Sequence, residues 1–316
     1  MLRLPNFFLV GAPKAGTTSL YYYLDQHPGI YMSPVKEPHY FAEEIRKAYC
    51  DSELRRGMAR ENRGLRRFLS SPMREKRVGG IITDWEDYLR LFANAIDEPA
   101  RGEASVCYLW SPTAPARIAE KIPGAKILAM LRDPADRAFS QYLHGLGNGS
   151  IRWSFREHIQ RNLRHRTGCF CVHYPFLEFG EYAEQLSRYQ ERFGRNLWIG
   201  FYEDFQERPV EMVHNIFRFL DVAPEFSPDM SQRHREAQIP RSSAIGWLQR
   251  SGLWQATARV TPPGLRPLIR RRLIRGREKT RIAPADRRYL VDFYRAGIRK
   301  LEGLTGRSLD AWLRYD

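Results

Sequence analysis

Asn6-Phe7-Phe8-Leu9-Val10-Gly11 is a short apolar run, followed by Ala12-Pro13-Lys14-Ala15-Gly16-Thr17-Thr18-Ser19 and then by Leu20-Tyr21-Tyr22-Tyr23-Leu24-Asp25-Gln26. A run of this kind closed by glycine reads as a strand buried on both faces. The second stretch is turn-rich. The third has helical character and is stopped by Pro28. Strand, glycine-rich loop and helix in this order have the outline of a phosphate-binding loop, in which backbone N–H groups and a helix N-terminus receive an anion. The usual lysine after the second glycine is Thr17, and a lysine stands three places earlier, at Lys14. The loop is suited to a 5′-phosphate, but its cation is placed differently from that of an ordinary ATPase or kinase.

Outward from this stretch, strands alternate with helices. Ile30–Met32, 102–106, 125–131 and 197–202 read as strands. Trp85, Leu89, Phe92 and Ile96 are at helical spacing over 85–95. Ala138, Phe139, Tyr142, Leu143 and Leu146 give the stripe of another helix, with Asp133 as N-cap and Pro134 as first helical residue. Helices are also expected at 182–193, around 209–220 and over 289–312. The alternation predicts an α/β fold of the P-loop-like, three-layer kind, with a central, mostly parallel sheet flanked by helices. One domain is expected over 1–316, with a variable basic insertion at 46–80, a substrate loop at 147–180 and a basic helical C-terminal segment at 250–316.

Two motifs together carry a family resemblance. Pro13-Lys14-Ala15-Gly16-Thr17-Thr18-Ser19-Leu20 resembles the 5′-phosphosulfate loop of sulfotransferases that use 3′-phosphoadenosine 5′-phosphosulfate (PAPS). Leu131-Arg132-Asp133-Pro134, with Arg137, Ala138, Ser140 and Tyr142 after it, resembles their 3′-phosphate motif. The chain is most similar to the bacterial and heparan-sulfate-type carbohydrate branch. The resemblance implies that PAPS is the co-substrate and adenosine 3′,5′-bisphosphate (PAP) the product, with no metal required. Lys14, Ala15, Gly16, Thr17, Thr18 and Ser19 would hold the phosphosulfate. Arg132 and Ser140 would hold the 3′-phosphate, the Arg fork matching phosphate oxygens. Tyr202 resembles the tyrosine that contacts adenine, and Arg241 with Ser242 the late loop over the 3′-phosphate.

Lys36-Glu37-Pro38-His39-Tyr40-Phe41 resembles the segment with the catalytic carboxylate in the heparan-sulfate-type enzymes. Glu37 matches the base, and a nearby lysine would tune its pKa. His39 is the second candidate, as base or acceptor-binding group. Lys14 is counted with the catalytic residues as well as the binding ones. One departure stands out: where the branch often has a lysine after the glutamate of Gly102-Glu103-Ala104-Ser105, this chain has Ala104.

Composition bounds the rest. Hydrophobic residues at 43% and charged residues at 28% exclude an intrinsically disordered chain. No long uncharged apolar run suggests a transmembrane helix, and the N-terminus does not read as a signal peptide. Four cysteines make no disulfide framework, so a reducing, cytoplasmic location is expected. The net charge of +15 is concentrated in 46–77, with 11 Lys/Arg against 4 Asp/Glu, and 266–281, with 8 against 1. The apolar–basic mixture at 265–281 suits peripheral contact with an anionic membrane, and no nucleic acid partner is expected. His165, Cys169, Cys171 and His173 are not in a common zinc spacing, and a substrate-covering loop is the preferred reading there. A carbohydrate or glycolipid acceptor is expected. The competing readings are a P-loop nucleotide kinase or NTPase, and a non-catalytic polyanion- or membrane-binding protein.

Overall fold

The computed structural model describes residues 3–50, 64–147, 150–164, 175–231, 239–240, 274–275 and 281–315. Its centre is a five-stranded sheet in the order β2-β5-β1-β6-β7, parallel throughout. The strands are β1 (Phe7–Gly11), β2 (Ile30–Met32), β5 (Ala100–Ala104), β6 (Lys126–Leu131) and β7 (Leu197–Phe201). All five β1 residues are buried, as the apolar run predicts. Phe7 lies opposite Gly102 of β5, and a Cβ on that glycine would stand 2.2 Å from the Phe7 ring. Only glycine allows this pairing.

The chain leaves β1 for the β2 edge and returns through β5. It then crosses to β6 and β7 on the far side of β1. Connections therefore diverge at the carboxyl ends of the central strands, where open α/β sheets form a ligand crevice. Helix α1 (Thr17–Leu24) packs on β1 and β2. Elsewhere α7 (Tyr182–Phe193) covers β6 and β7 and is backed by α4 (Ala114–Lys121) and α10 (Pro284–Thr305). Between these, α2 spans Glu43–Cys50, α3 Trp85–Arg90, α5 Pro134–Gly147, α6 Phe155–Arg164, α8 Tyr202–Glu207 and α9 Pro209–Phe219. Among the described residues, no helix is long and apolar enough to cross a membrane.

Several expectations need correction. The helix beginning at Trp85 is well capped, since the Asp84 carboxylate accepts from the N–H groups of Glu86 and Asp87. It ends at Arg90, and Ile96 is 70% exposed, so the apolar spacing runs past the helix. The strand expected at 102–106 starts and ends two residues earlier. The stretch 46–80 is not simply an insertion. It begins inside α2, its residues 64–69 are helical, and β4 (Arg77–Val78) pairs in parallel with β3 (Val35–Lys36). Leu65 and Leu69 are buried within it. The expected loop at 147–180 contains α6, whose Phe155 and Ile159 enter the core, as do Phe176 and Leu177. Its polar composition hides these anchors. The C-terminal helix ends at Gly306 in the left-handed region (φ 65°), and Trp312 then folds back against Phe201 and Tyr182. Residues 51–63, 165–174, 241–273 and 276–280 lie outside the described residues. So, therefore, do Arg241, Ser242, the Cys169–Cys171 cluster and nearly all of the basic stretch 265–281.

Candidate active site

Three elements converge at the carboxyl end of β1. The loop from 12 to 16 starts where the Ala12 N–H donates to the Met130 carbonyl of β6 (2.5 Å). Lys14 and Gly16 take left-handed backbone (φ 67° and 80°), and Gly16 is the N-cap of α1. A Cβ on Gly16 would stand 3.1 Å from the rings of both Tyr202 and Phe205. Tyr202 therefore lies against the loop itself, as the first residue of α8 rather than the last of β7.

Arg132 follows β6. It donates from Nη1 to the Lys14 carbonyl (3.1 Å), and its guanidinium is 4.7 Å from the centroid of the Tyr202 ring. Asp133 and Asp136 are near in sequence and could pair with this arginine. Arg287 of α10 occupies that role instead, donating to both oxygens of Asp133 (2.9 and 2.7 Å) and standing 3.5 Å from Asp136. Asp133 also caps α5 through the N–H groups of Ala135 and Asp136. Ser140 is half-buried on α5. One turn later comes His144, which sequence reasoning missed. Its imidazole is held below its usual pKa by burial and by the charge of Lys14, so it belongs to the same neighbourhood. Strand β8 (Ile239–Pro240), directly before Arg241, also lies against α5.

A second group sits at the end of β5, the strand beside β1. The Glu37 N–H donates to the Ala104 carbonyl (2.8 Å). Glu37 and His39 are both non-glycine residues with positive φ (66° and 57°), a strained geometry found disproportionately at functional sites. One Glu37 oxygen accepts from the Lys36 ammonium (2.6 Å) and the other from the Val106 N–H (3.0 Å). Burial alone would raise the Glu37 pKa. The Lys36 charge, then His39 and the hydrogen bonds from Lys36 and Val106, outweigh it and hold the carboxyl below its usual range. Burial lowers the His39 pKa, opposed by Glu37 and helped by Lys36. The nearby lysine expected to tune Glu37 is thus Lys36, in a buried contact, the side chains being 4% and 14% exposed. Ala104 is fully buried, and the ammonium that meets Glu37 is that of Lys36.

Beneath this turn lies a network only partly legible in the sequence. The His39 N–H donates to the Ser105 hydroxyl (3.2 Å), which donates to Glu103 (2.9 Å). The Tyr88 hydroxyl donates to the other Glu103 oxygen (3.2 Å). Glu103 is fully buried, and burial pushes its pKa up to about 8 against the hydrogen bonds of Tyr108 and Ser105. The native protein therefore keeps a proton at neutral pH that the unfolded chain has released. Stability from this group is full below the unfolded value near 4.5 and is lost as pH rises towards about 8. Glu103→Gln, which resembles the neutral acid, is expected to remove that decline. Urea unfolding across pH 5–8 tests it, and equal slopes in the two proteins would contradict it.

A family model described as the sulfotransferase family matches residues 5–227. The chain belongs to the sulfotransferase family. The span includes the loop, the Glu37 turn, Arg132 and Tyr202. A crystal structure of a sulfotransferase from Alicyclobacillus acidocaldarius is 30% identical, covers 99% of this chain and 100% of its own, and superposes with a TM-score of 0.72. Human bifunctional heparan sulfate N-deacetylase/N-sulfotransferase 3 is 26% identical over 99% of this chain and 32% of that protein. Mouse carbohydrate sulfotransferase 15 is 27% identical over 70% of this chain and 44% of that protein. The chain thus spans less than half the length of these two relatives.

Proposed function

We propose that the protein transfers a sulfuryl group from PAPS to a hydroxyl of a carbohydrate or glycoconjugate, glycolipids included. The observation that carries this reading is the convergence of Arg132, the Lys14–Gly16 loop and Tyr202 at one strand end, with the Glu37 turn at the next. The donor set fits a nucleotide with two anionic ends. Two cations and the first N–H groups of α1 are offered, and the neighbouring carboxylate of Asp133 is engaged by Arg287. Lys14, Ala15, Gly16, Thr17, Thr18 and Ser19 would hold the phosphosulfate end, and Arg132 and Ser140 the 3′-phosphate. Tyr202 would meet the adenine, and Arg241 with Ser242 would complete the site. PAPS supplies an activated sulfuryl group. Sulfur exchanges its bond to the leaving phosphate oxygen for one to the attacking acceptor oxygen, in line. Glu37 takes the acceptor proton, and Lys14 balances charge on the leaving phosphate. His39 orients the acceptor or shares the base role.

The carbohydrate class rests on the branch resemblance and on the names of the two mammalian relatives. One of those names specifies N-sulfation, which makes an amine the second acceptor chemistry to test. A P-loop kinase reading loses its support in the family match and in Thr17. A cytoplasmic location, with 265–281 against an anionic membrane, remains part of the proposal.

Labelled PAPS offered with a panel of oligosaccharides and glycolipids, bearing free or acetylated amines, tests the activity. Arg132→Ala should weaken PAP binding about 10- to 100-fold, since a charge-assisted hydrogen bond contributes roughly 1.5–3 kcal/mol. AMP, without the 3′-phosphate, should lose far less. Equal losses for both nucleotides would remove Arg132 from the 3′-phosphate site.

A further inference from the structure

Glu37, His39 and Cys107 offer a carboxylate oxygen, an imidazole nitrogen and a sulfur that all lie within 4.8 Å of one another. His39 Nδ1 is 3.0 Å from Cys107 Sγ and 4.0 Å from the nearer Glu37 oxygen. We propose that these three side chains form a site for zinc or a similar borderline-soft divalent cation, and that its occupation blocks sulfuryl transfer by taking the carboxylate that would receive the acceptor proton. The blocking rests on the function proposed above, whereas the binding does not.

Carboxylate oxygen, imidazole nitrogen and thiolate sulfur are each zinc ligands, and three protein ligands with a fourth position open is the coordination of catalytic zinc. Bonds of about 2.0–2.3 Å in a tetrahedron put ligand atoms about 3.3–3.7 Å apart, so the cluster needs only small side-chain rotations. The backbone already sets the positions. Glu37 and His39 are fixed by the strained turn tied to Ala104 and Ser105, and Cys107 follows β5 by three residues. Lys36 and the Val106 N–H hold the carboxylate in orientation, as outer partners do for metal ligands. Cys107 is buried, at 2% exposure, while the Glu37 and His39 side chains keep 14% and 13%. The cluster is therefore reached from solvent through Glu37 and His39. On binding, the Cys107 thiol gives its proton to solvent as the sulfur–metal bond forms. One thiolate and one carboxylate then face the two charges of the cation, and with the Lys36 ammonium retained on Glu37 the occupied site carries one net positive charge.

The full chain is titrated with Co²⁺ as a spectroscopic probe, and the near-ultraviolet thiolate-to-cobalt absorption is followed. One equivalent should give the band. Cys107→Ser and Cys107→Ala should both abolish it while a cooperative melt shows that each variant remains folded. The Cys169→Ser/Cys171→Ser double variant should keep it. Zn²⁺ should inhibit sulfate transfer by the unaltered protein without changing PAP affinity, and Cys107→Ser should need tenfold or more zinc for the same inhibition. A band that survives in both Cys107 variants, or that is lost only in the double variant, overturns the site. Absence of the band in the unaltered protein does the same. Since the band is read without acceptor or PAPS, a protein that binds cobalt but transfers no sulfate would contradict the function alone.

Discussion

Glu37→Gln is expected to lower turnover by about 10²–10⁴-fold, or roughly 2.7–5.5 kcal/mol of barrier, while PAP binding stays within about twofold. The amide keeps the size of the side chain and can still accept from the Val106 N–H, but it has no site for the acceptor proton. Lys36 and His39 hold the carboxylate ionised below its usual range. It is thus available at every physiological pH but has little intrinsic pull on a proton. Transfer to it is favoured only as the new S–O bond forms and the acceptor oxygen becomes acidic. The sign for pH follows. The base is lost as pH falls through a value below 4.5, so Glu37 should contribute no limb to the rate profile between pH 5 and 8. Stability gained from its depressed pKa is likewise present above the unfolded value and disappears only in that acid range. Single-turnover rates across pH check both points. Undiminished turnover in Glu37→Gln would remove it as base and leave His39.

Arg287→Ala should cost about 3–5 kcal/mol of stability, as removal of one partner of a buried pair does. The side chains of Arg287 and Asp133 are 9% and 7% exposed, and the pair is joined by two hydrogen bonds. Arg287 Nε also donates to the Arg314 carbonyl (3.1 Å), so one residue ties α10 and the C-terminal turn to the start of α5. Its removal leaves a buried carboxylate short of its partner directly beside Arg132. PAP affinity should fall together with stability, since Asp133 would compete for the arginine meant for phosphate. Arg299→Ala provides the contrast. Its pairs with Glu302 and Asp310 are surface contacts of a half-exposed arginine, and its loss should cost far less than that of Arg287. Urea unfolding of both variants decides the matter, and similar costs would contradict the role given to the buried pair.

The middle of the sheet was legible because β1 and β6 are apolar on both faces and sit next to loop residues with strong local preferences, whereas β5, with Arg101 and Glu103, was placed two residues late. β1, β6 and the α5 cap follow from Phe7–Gly11, Lys126–Leu131 and Asp133-Pro134 alone. The stretches 46–80 and 147–180 were less legible. Their few apolar core anchors, such as Leu65, Phe155 and Phe176, are spaced among charged and polar residues, and the helical period at Phe155, His158, Ile159 and Asn162 is half polar. In the site, Arg132 and Tyr202 could be named from motifs, but their mutual stacking depends on how β6 and β7 end side by side. Glu103 could be named without a role, because its burial and its link through Ser105 to His39 are properties of packing. His144 left no signal beyond its helical spacing from Ser140. Cys107 gave none, since only the strained turn brings residues 37 and 39 against it.

The central claim, a site built for a nucleotide with phosphate at both the 3′ and 5′ positions, is tested most directly by thermal denaturation of the full chain with PAP, AMP or ATP. At about 100 times its dissociation constant, PAP should add roughly 2.7 kcal/mol to the folded state. At the same concentration, AMP and ATP should add much less. A larger response to ATP than to PAP, or no response to any of the three, would contradict the account.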